Sequence, residues 1–199
     1  MDKQTVVFIG RSGCGKGTQA KKLIEYLKAN DPEKRSVLYI ATGALFRDFI
    51  QGDTHTQEIS RKRFDESKLQ PTFLSTYLWG KELVEKETGN EHIIFDGLPR
   101  TRSESEIISS VFDFYDRPDP AVVYMNVSEE WTRGRLKSRG REDDLDDREV
   151  NRRMAWFKTD VLPAIEYFKD HETERFVEVN GEQEIEEVHK DILKALELE

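Results

Sequence analysis

The sequence predicts an α/β fold, a parallel five-stranded sheet flanked by helices. Two observations carry that expectation. Short segments rich in Val, Ile and Phe alternate with amphipathic runs of helical period, the order that builds parallel strands joined by right-handed crossovers. The first of those strands then runs straight into Gly10-Arg11-Ser12-Gly13-Cys14-Gly15-Lys16-Gly17-Thr18, with a helix behind it. Strand, glycine-rich loop and helix form the setting in which consecutive backbone N–H groups turn inward around a phosphate. The positive end of the helix adds to the attraction, and Lys16 brings a mobile full charge. A chance Gly-x-x-x-x-Gly-Lys occurs in ordinary turns, but its place after an apolar strand argues against chance.

The elements follow in order. Residues 5–9 form the first strand, and residues 19–29 the first helix, with Ala20, Leu23, Ile24 and Leu27 as its apolar stripe. Asn30-Asp31-Pro32 ends it, and residues 37–41 form the second strand. Thr42 opens a helical region that breaks at Gly52 and ends near Glu66. Residues 72–86 are a helix with Leu74, Leu78 and Phe73 inward, and residues 92–97 a third strand ending in Asp96-Gly97. A helix over 103–112 and a loop framed by Pro118 and Pro120 lead to the fourth strand, 121–127. Ser128 caps the next helix, whose first turn carries Glu129 and Glu130. Residues 147–169 read as one long helix that Pro163 kinks or breaks. Residues 175–180 are the fifth strand, and 183–196 the closing helix. Ligands of parallel sheets sit beyond the carboxyl ends of the strands. Gly10, Thr42 and Asp96 all fall at such ends.

A chain of 199 residues with 36% hydrophobic content suits one domain with a full core. Its net charge of −9 argues against a general nucleic-acid or membrane surface. Anionic small molecules stay open, because a local basic cluster overcomes a distant acidic field. No membrane span and no signal peptide are expected. The one cysteine, Cys14, allows no internal disulfide and no cysteine-built zinc site, which fits a reducing cytoplasm. A helix N-terminus can activate a thiol, yet the simpler reading of Cys14 is a small residue that fits a tight loop.

Beside the loop stands a set of arginines: Arg47, Arg100, Arg135, Arg139, Arg141, Arg152 and Arg153. Guanidinium is planar, always charged and bidentate, and so suits phosphate oxygens. The ordinary alternative, solvated salt-bridge arginines, is the default for Arg133, Arg148 and Arg153. It is weaker for Arg47 and Arg100, which stand just past strand ends.

Gly15-Lys16-Gly17-Thr18-Gln19 resembles the phosphate loop of adenylate kinases and their nucleoside monophosphate kinase relatives. Thr42-Gly43-x-x-x-Arg47 resembles that family's monophosphate-binding helix, and Asp96-Gly97-Leu98-Pro99-Arg100-Thr101 its Asp-Gly-Phe-Pro-Arg-Thr signature. Arg135, Arg139, Arg141, Asp143-Asp144 and Arg152 fall where the family carries its lid arginines and paired aspartates. Val179-Asn180 resembles the strand before the loop that holds the ATP adenine. The resemblance implies a P-loop NTPase-like kinase domain: a core of 1–41, 73–138 and 147–199, a monophosphate-binding segment 42–72 and a short lid 139–146. It implies reversible transfer of the γ-phosphoryl group from ATP to AMP, giving two ADP, with Mg²⁺ as cofactor, in a cytoplasmic monomer. On the same basis ATP is held by Ser12, Gly13, Cys14, Gly15, Lys16, Gly17, Thr18, Arg135 and Arg139. The monophosphate is held by Thr42, Arg47, Gln70, Gly97, Arg100, Glu104, Arg141 and Arg152. Lys16, Arg100, Arg139, Arg141 and Arg152 carry catalysis. Gly17 replaces the hydroxyl residue that usually follows the lysine. Asp96 is therefore the carboxylate expected to hold Mg²⁺, through water.

There are departures from the family pattern. Ala44 stands where many relatives have Asp, and Arg11-Ser12 replaces a proline-containing run. Gly140 alone separates Arg139 from Arg141, too little for the small sheet or zinc site of long-lid relatives. Glu104 replaces a Gln that reads the acceptor base. A carboxylate suits the two donors of guanine better than the edge of adenine, so AMP is expected as best acceptor with weakened discrimination against GMP. Alternatively Glu104, near a helix start, faces solvent or favours the helix dipole. Two other functions stay open at this stage: a kinase for GMP, UMP or CMP, and a catalytically reduced nucleotide-binding regulatory protein.

Overall fold

The computed structural model describes residues 1–139 and 146–198. β1 (Thr5–Gly10) is apolar along its length and buried on both faces, as a central parallel strand must be. With β2 (Val37–Ala41), β3 (His92–Asp96), β4 (Ala121–Asn126) and β5 (Arg175–Asn180) it forms one sheet in the order β2-β3-β1-β4-β5. Every neighbouring pair is parallel. The connecting helices are α1 (Lys16–Asn30), α2 (Thr42–Phe49), α3 (His55–Asp65), α4 (Thr72–Lys86), α5 (Arg102–Phe114), α6 (Glu129–Arg139), α7 (Asp147–Trp156), α8 (Leu162–Asp170) and α9 (Ile185–Ala195).

The two-residue period of a strand divides the core into two layers. Val6 and Phe8 pack with Leu23 and Leu27 of α1 and with Val188 and Ile192 of α9. Val7 and Ile9 face the other way, among Trp79 and Leu83 of α4, Ile108 and Phe112 of α5, and Ile165 and Phe168 of α8. Each fully buried Leu, Ile or Phe contributes about 1.5–3 kcal/mol. The two layers hold the sheet rigid while its carboxyl edge stays open. Ala41 is in register with Asp96, and Gly10 with Met125. The chain leaves β1 between β3 on one side and β4 on the other, a switch point where a parallel sheet leaves a crevice.

Local chemistry sets the helix starts. The Ser128 hydroxyl accepts from Trp131 N–H at 3.1 Å, as expected for its cap. Thr54 and Gln57 form a reciprocal capping box on α3.

Three expectations change in detail. α1 starts at Lys16, so the lysine belongs to its first turn. Phe73 is 69% exposed, because Leu74, Ser75, Trp79 and Leu83 define the inner face of α4 and Phe73 lies beside that face. Residues 147–169 form two helices joined by a π-helical turn, Phe157–Val161. Pro163 offers no N–H to the Thr159 carbonyl and crowds it, so the turn before the proline widens.

Candidate active site

The loop between β1 and α1 builds one wall. Gly15 stands at φ 98, a left-handed conformation that a Cβ disfavours, and lets the chain turn at once into α1. The first N–H groups of a helix have no carbonyl behind them, which makes this end attract anions. Lys16 Nζ reaches back over the loop and donates to the carbonyls of Gly10 at 2.9 Å and Arg11 at 2.7 Å. The Cys14 thiol lies buried in the core layer under the loop, which suits the small filler rather than a reactive group.

From this loop a cleft of about 730 Å³ runs along the carboxyl ends of the strands. Its walls carry Lys16, Lys21, Arg47, Lys68, Arg100, Arg135 and Arg153; Asp96 is the single carboxylate among the described residues there. A strongly cationic cleft thus sits in a chain of net charge −9, and low-dielectric walls focus its field on anions. Of the residues predicted from sequence, Ser12, Gly13, Gly15, Lys16, Gly17, Thr18, Arg47, Gln70, Asp96, Gly97, Arg100 and Arg135 line this one cleft.

Arg100 follows β3 directly after a cis Leu98–Pro99 bond. Its Nε donates to Gly97 O at 2.8 Å, and its guanidinium lies 5.7 Å from the Trp156 ring. Burial lowers its pKa, opposed by the negative charges of Glu104 and Asp96, and a guanidinium so placed stays a cation. Arg135 rests its guanidinium 5.3 Å from the Trp131 ring. Asp96 accepts from the Tyr39 hydroxyl at Oδ2, 2.8 Å away. A Cβ built on Gly17 would stand 3.1 Å from that same oxygen, so the missing side chain of Gly17 is the room that Asp96 occupies. Burial, and then the Asp96 charge, push the Tyr39 pKa well above its ordinary value, so the phenol remains a donor.

Four of the predicted residues are placed differently. Thr42 is buried, and its hydroxyl donates to Gly97 O at 2.8 Å, bracing the start of α2 against the loop that carries Arg100. The Gln70 amide, although on the cleft wall, is paired with Ser60: Nε2 donates to Ser60 O at 2.9 Å, and Oε1 accepts from Ser60 Oγ at 3.1 Å. Glu104 is 1% exposed, so it does not face solvent. Its Oε1 accepts from Ser75 Oγ at 2.6 Å and Trp79 Nε1 at 2.9 Å, and its Oε2 from the Arg100 backbone N–H at 2.6 Å. Three protein donors converge there, which is why this position takes an acceptor-only group.

The fourth is Arg152. It is exposed, is not among the residues lining the cleft, and donates from Nη1 to Glu66 O at 2.6 Å. Arg153 takes the inward position: it is buried and lines the cleft. The sequence held the signal. Val150, Met154 and Phe157 are buried at helical spacing, and Arg153 shares that face while Arg152 is about a quarter-turn off it. Tyr39 and Trp156 are further cleft residues that motif reading passed over. Arg141, the Arg139 side chain and the paired Asp143 and Asp144 lie outside the described residues.

A model of the adenylate kinase family matches residues 8–173. The chain belongs to the adenylate kinase family. Among curated relatives, the adenylate kinase of Corynebacterium glutamicum strain R is 31% identical over 191 residues, spanning 96% of this chain and 98% of its own length. The adenylate kinase of Mycolicibacterium paratuberculosis is 33% identical over 165 residues, 83% of this chain and 86% of that one. The adenylate kinase of Mycobacterium tuberculosis is 34% identical over the same length and shares. Adenylate kinases are phosphotransferases, and the five-stranded parallel sheet with its glycine-rich loop is the fold of that family. No helix among the described residues is long and apolar enough to cross a membrane.

Proposed function

We propose that this chain moves the γ-phosphoryl group of ATP to AMP, reversibly, and that the cleft at the carboxyl edge of the sheet is where it does so. The observation that carries the reading is the gathering of Lys16 on one wall and Arg47 and Arg100 on another, around one cleft with seven cationic side chains among the described residues. Phosphoryl transfer asks for two nucleotides held in line and for neutralisation of charge as it spreads over the moving group. The phosphate loop and Lys16 hold the ATP phosphates; Lys16 exchanges its two carbonyl partners for phosphate oxygens. Arg47 and Arg100 hold the phosphate of AMP. Arg135 lies on the ATP side, and Arg153 takes the role first expected of Arg152, with Arg139 and Arg141 as the lid's contribution. An oxygen of the AMP phosphate attacks the γ-phosphorus while the bond to the bridging oxygen breaks and its electron pair leaves with ADP. The acceptor is already an anion, so no general base is needed.

Asp96 fits a hard cation by chemistry: a carboxylate, alone with seven cations among the described residues of the cleft, on the wall beside the phosphate loop. It would hold Mg²⁺ through water, and the ion would supply charge neutralisation on the ATP phosphates. In this reading segment 42–72 and lid 139–146 close over a core of 1–41, 73–138 and 147–199. The working unit in this reading is a cytoplasmic monomer; the single cysteine, which allows no internal disulfide, supports the compartment. A coupled assay of ATP against AMP, GMP, CMP and UMP tests the acceptor. AMP is expected to show the highest kcat/KM, and a higher value for another monophosphate overturns the reading.

A further inference from the structure

We propose that Tyr39 is a positioning residue for the metal-side carboxylate, holding Asp96 by one oxygen so that the other serves the cation's water shell. The proposal rests on the reading of Asp96 given above. Tyr39 lies on β2, two residues before Ala41, the register partner of Asp96. Its ring lines the cleft, and its hydroxyl donates to Asp96 Oδ2 at 2.8 Å. Oδ1 has no hydrogen-bond partner among the described residues.

The physical need is specific to this cleft. A carboxylate that stands alone with seven cations among the described residues of the cleft would turn onto a lysine or arginine, and an ion pair would spend its charge on the protein. A phenol is a neutral donor. It fixes the carboxylate's orientation and leaves the full negative charge in place. Two neighbours make the arrangement possible. Gly17 leaves open the space where a Cβ would approach Oδ2 to 3.1 Å. Ala44 adds no second carboxylate to the cleft wall, so orientation of the first matters more.

Tyr39→Phe removes the donor and keeps the ring. Calorimetry of ATP binding, with and without Mg²⁺ and in the absence of AMP, reads the metal's contribution as a ratio of dissociation constants. Electron paramagnetic resonance of Mn²⁺ with protein and ATP reads the ion directly. A hydrogen bond to a charged group is worth about tenfold or more in affinity. Tyr39→Phe is therefore expected to shrink the metal ratio by about that factor, and to leave metal-free ATP affinity within about twofold. Asp96→Asn, run beside it, should shrink the ratio further. If Asp96→Asn shrinks the ratio and Tyr39→Phe does not, the role of Tyr39 is overturned while the reading of Asp96 stands. If neither variant changes it, both fall. An equal loss with and without metal marks a merely structural tyrosine and also overturns the proposal. Tyr39→Met is measured in the same way if the Phe variant does not fold.

Discussion

Replacing Glu104 by Gln alters a buried carboxylate that three protein donors meet beside Arg100. The carboxylate receives the Ser75 hydroxyl at 2.6 Å, the Trp79 indole N–H at 2.9 Å and the Arg100 backbone N–H at 2.6 Å. A glutamine offers one carbonyl and one amino group. If the amino group takes the Oε1 side, it meets the Trp79 N–H, which is fixed to its ring. If it takes the Oε2 side, it meets the Arg100 N–H, which is fixed to the backbone. The Ser75 hydroxyl can rotate; the other two donors cannot. One buried donor left unpaired costs about 1–3 kcal/mol, and the remaining bonds weaken on losing a charged acceptor, so the sum is roughly 2–4 kcal/mol. Relief of a buried charge works in the opposite direction, but Glu104 already faces the Arg100 cation, so that gain is small. For a domain of this size the loss corresponds to a fall in Tm of roughly 5–15 °C. Because Arg100 is held by its own backbone through Glu104, the KM for AMP should rise about tenfold in step, with the KM for ATP nearly unchanged. Differential scanning calorimetry and steady-state kinetics read the two effects. A base-reading Glu104 gives the reverse: unchanged Tm and a higher kcat/KM for AMP. That pair of results would refute the account of Glu104 as a scaffold for Arg100.

Other outcomes follow from the same geometry. Lys16→Ala should keep its far-UV circular dichroism and lose roughly 10²–10³ in kcat, the scale for one transition-state charge contact; turnover near wild type removes the loop from the chemistry. Arg153→Ala should lower kcat/KM about 10²-fold or more, whereas Arg152→Ala stays within about threefold; the opposite ranking would restore Arg152 to the site. Amide exchange over residues 42–72 should slow when a bisubstrate analogue binds, and equal protection with and without it indicates a preformed site. His92, fully buried beside Asp31, has its pKa lowered by burial, with Asp31 opposing. A folded-state pKa below the unfolded one means that the unfolded chain binds the proton more readily. The contribution of His92 is thus intact above the unfolded value near 6.5 and is lost as pH falls below it. Tm measured from pH 7 to pH 5 should drop more steeply in wild type than in His92→Gln, whose amide can accept from Gln4 N–H and donate to Asp31; equal slopes would show that His92 does not carry the dependence.

Much of this protein is legible in the chain itself. Strand positions 5–10, 37–41 and 175–180 follow from short apolar and β-branched runs, and helix α4 from its stripe and its flanking proline, because such signals are complete within a few residues. The phosphate loop is legible for the same reason: its glycines, its lysine and its helix are consecutive. So is the convergence of Gly10, Thr42 and Asp96, since parallel strands place all their carboxyl ends together.

What the chain left undecided are choices among neighbours. Arg152 and Arg153 carry the same group one residue apart, and only the packing of Val150, Met154 and Phe157 turns Arg153 to the cleft. Glu104 reads as a base-contacting residue by position. That Ser75 and Trp79, from a helix about 25–29 residues earlier, bring their donors to it is decided only by packing. Tyr39 is an ordinary strand tyrosine until β2 and β3 pair and set it against Asp96. Sequence by itself determined which groups are present and which edge of the sheet they reach. Tertiary structure decided which of them face the cleft and which serve as its support. The physical reason is that a hydrogen bond needs both partners within about 3 Å, and that distance is set only when separate elements pack.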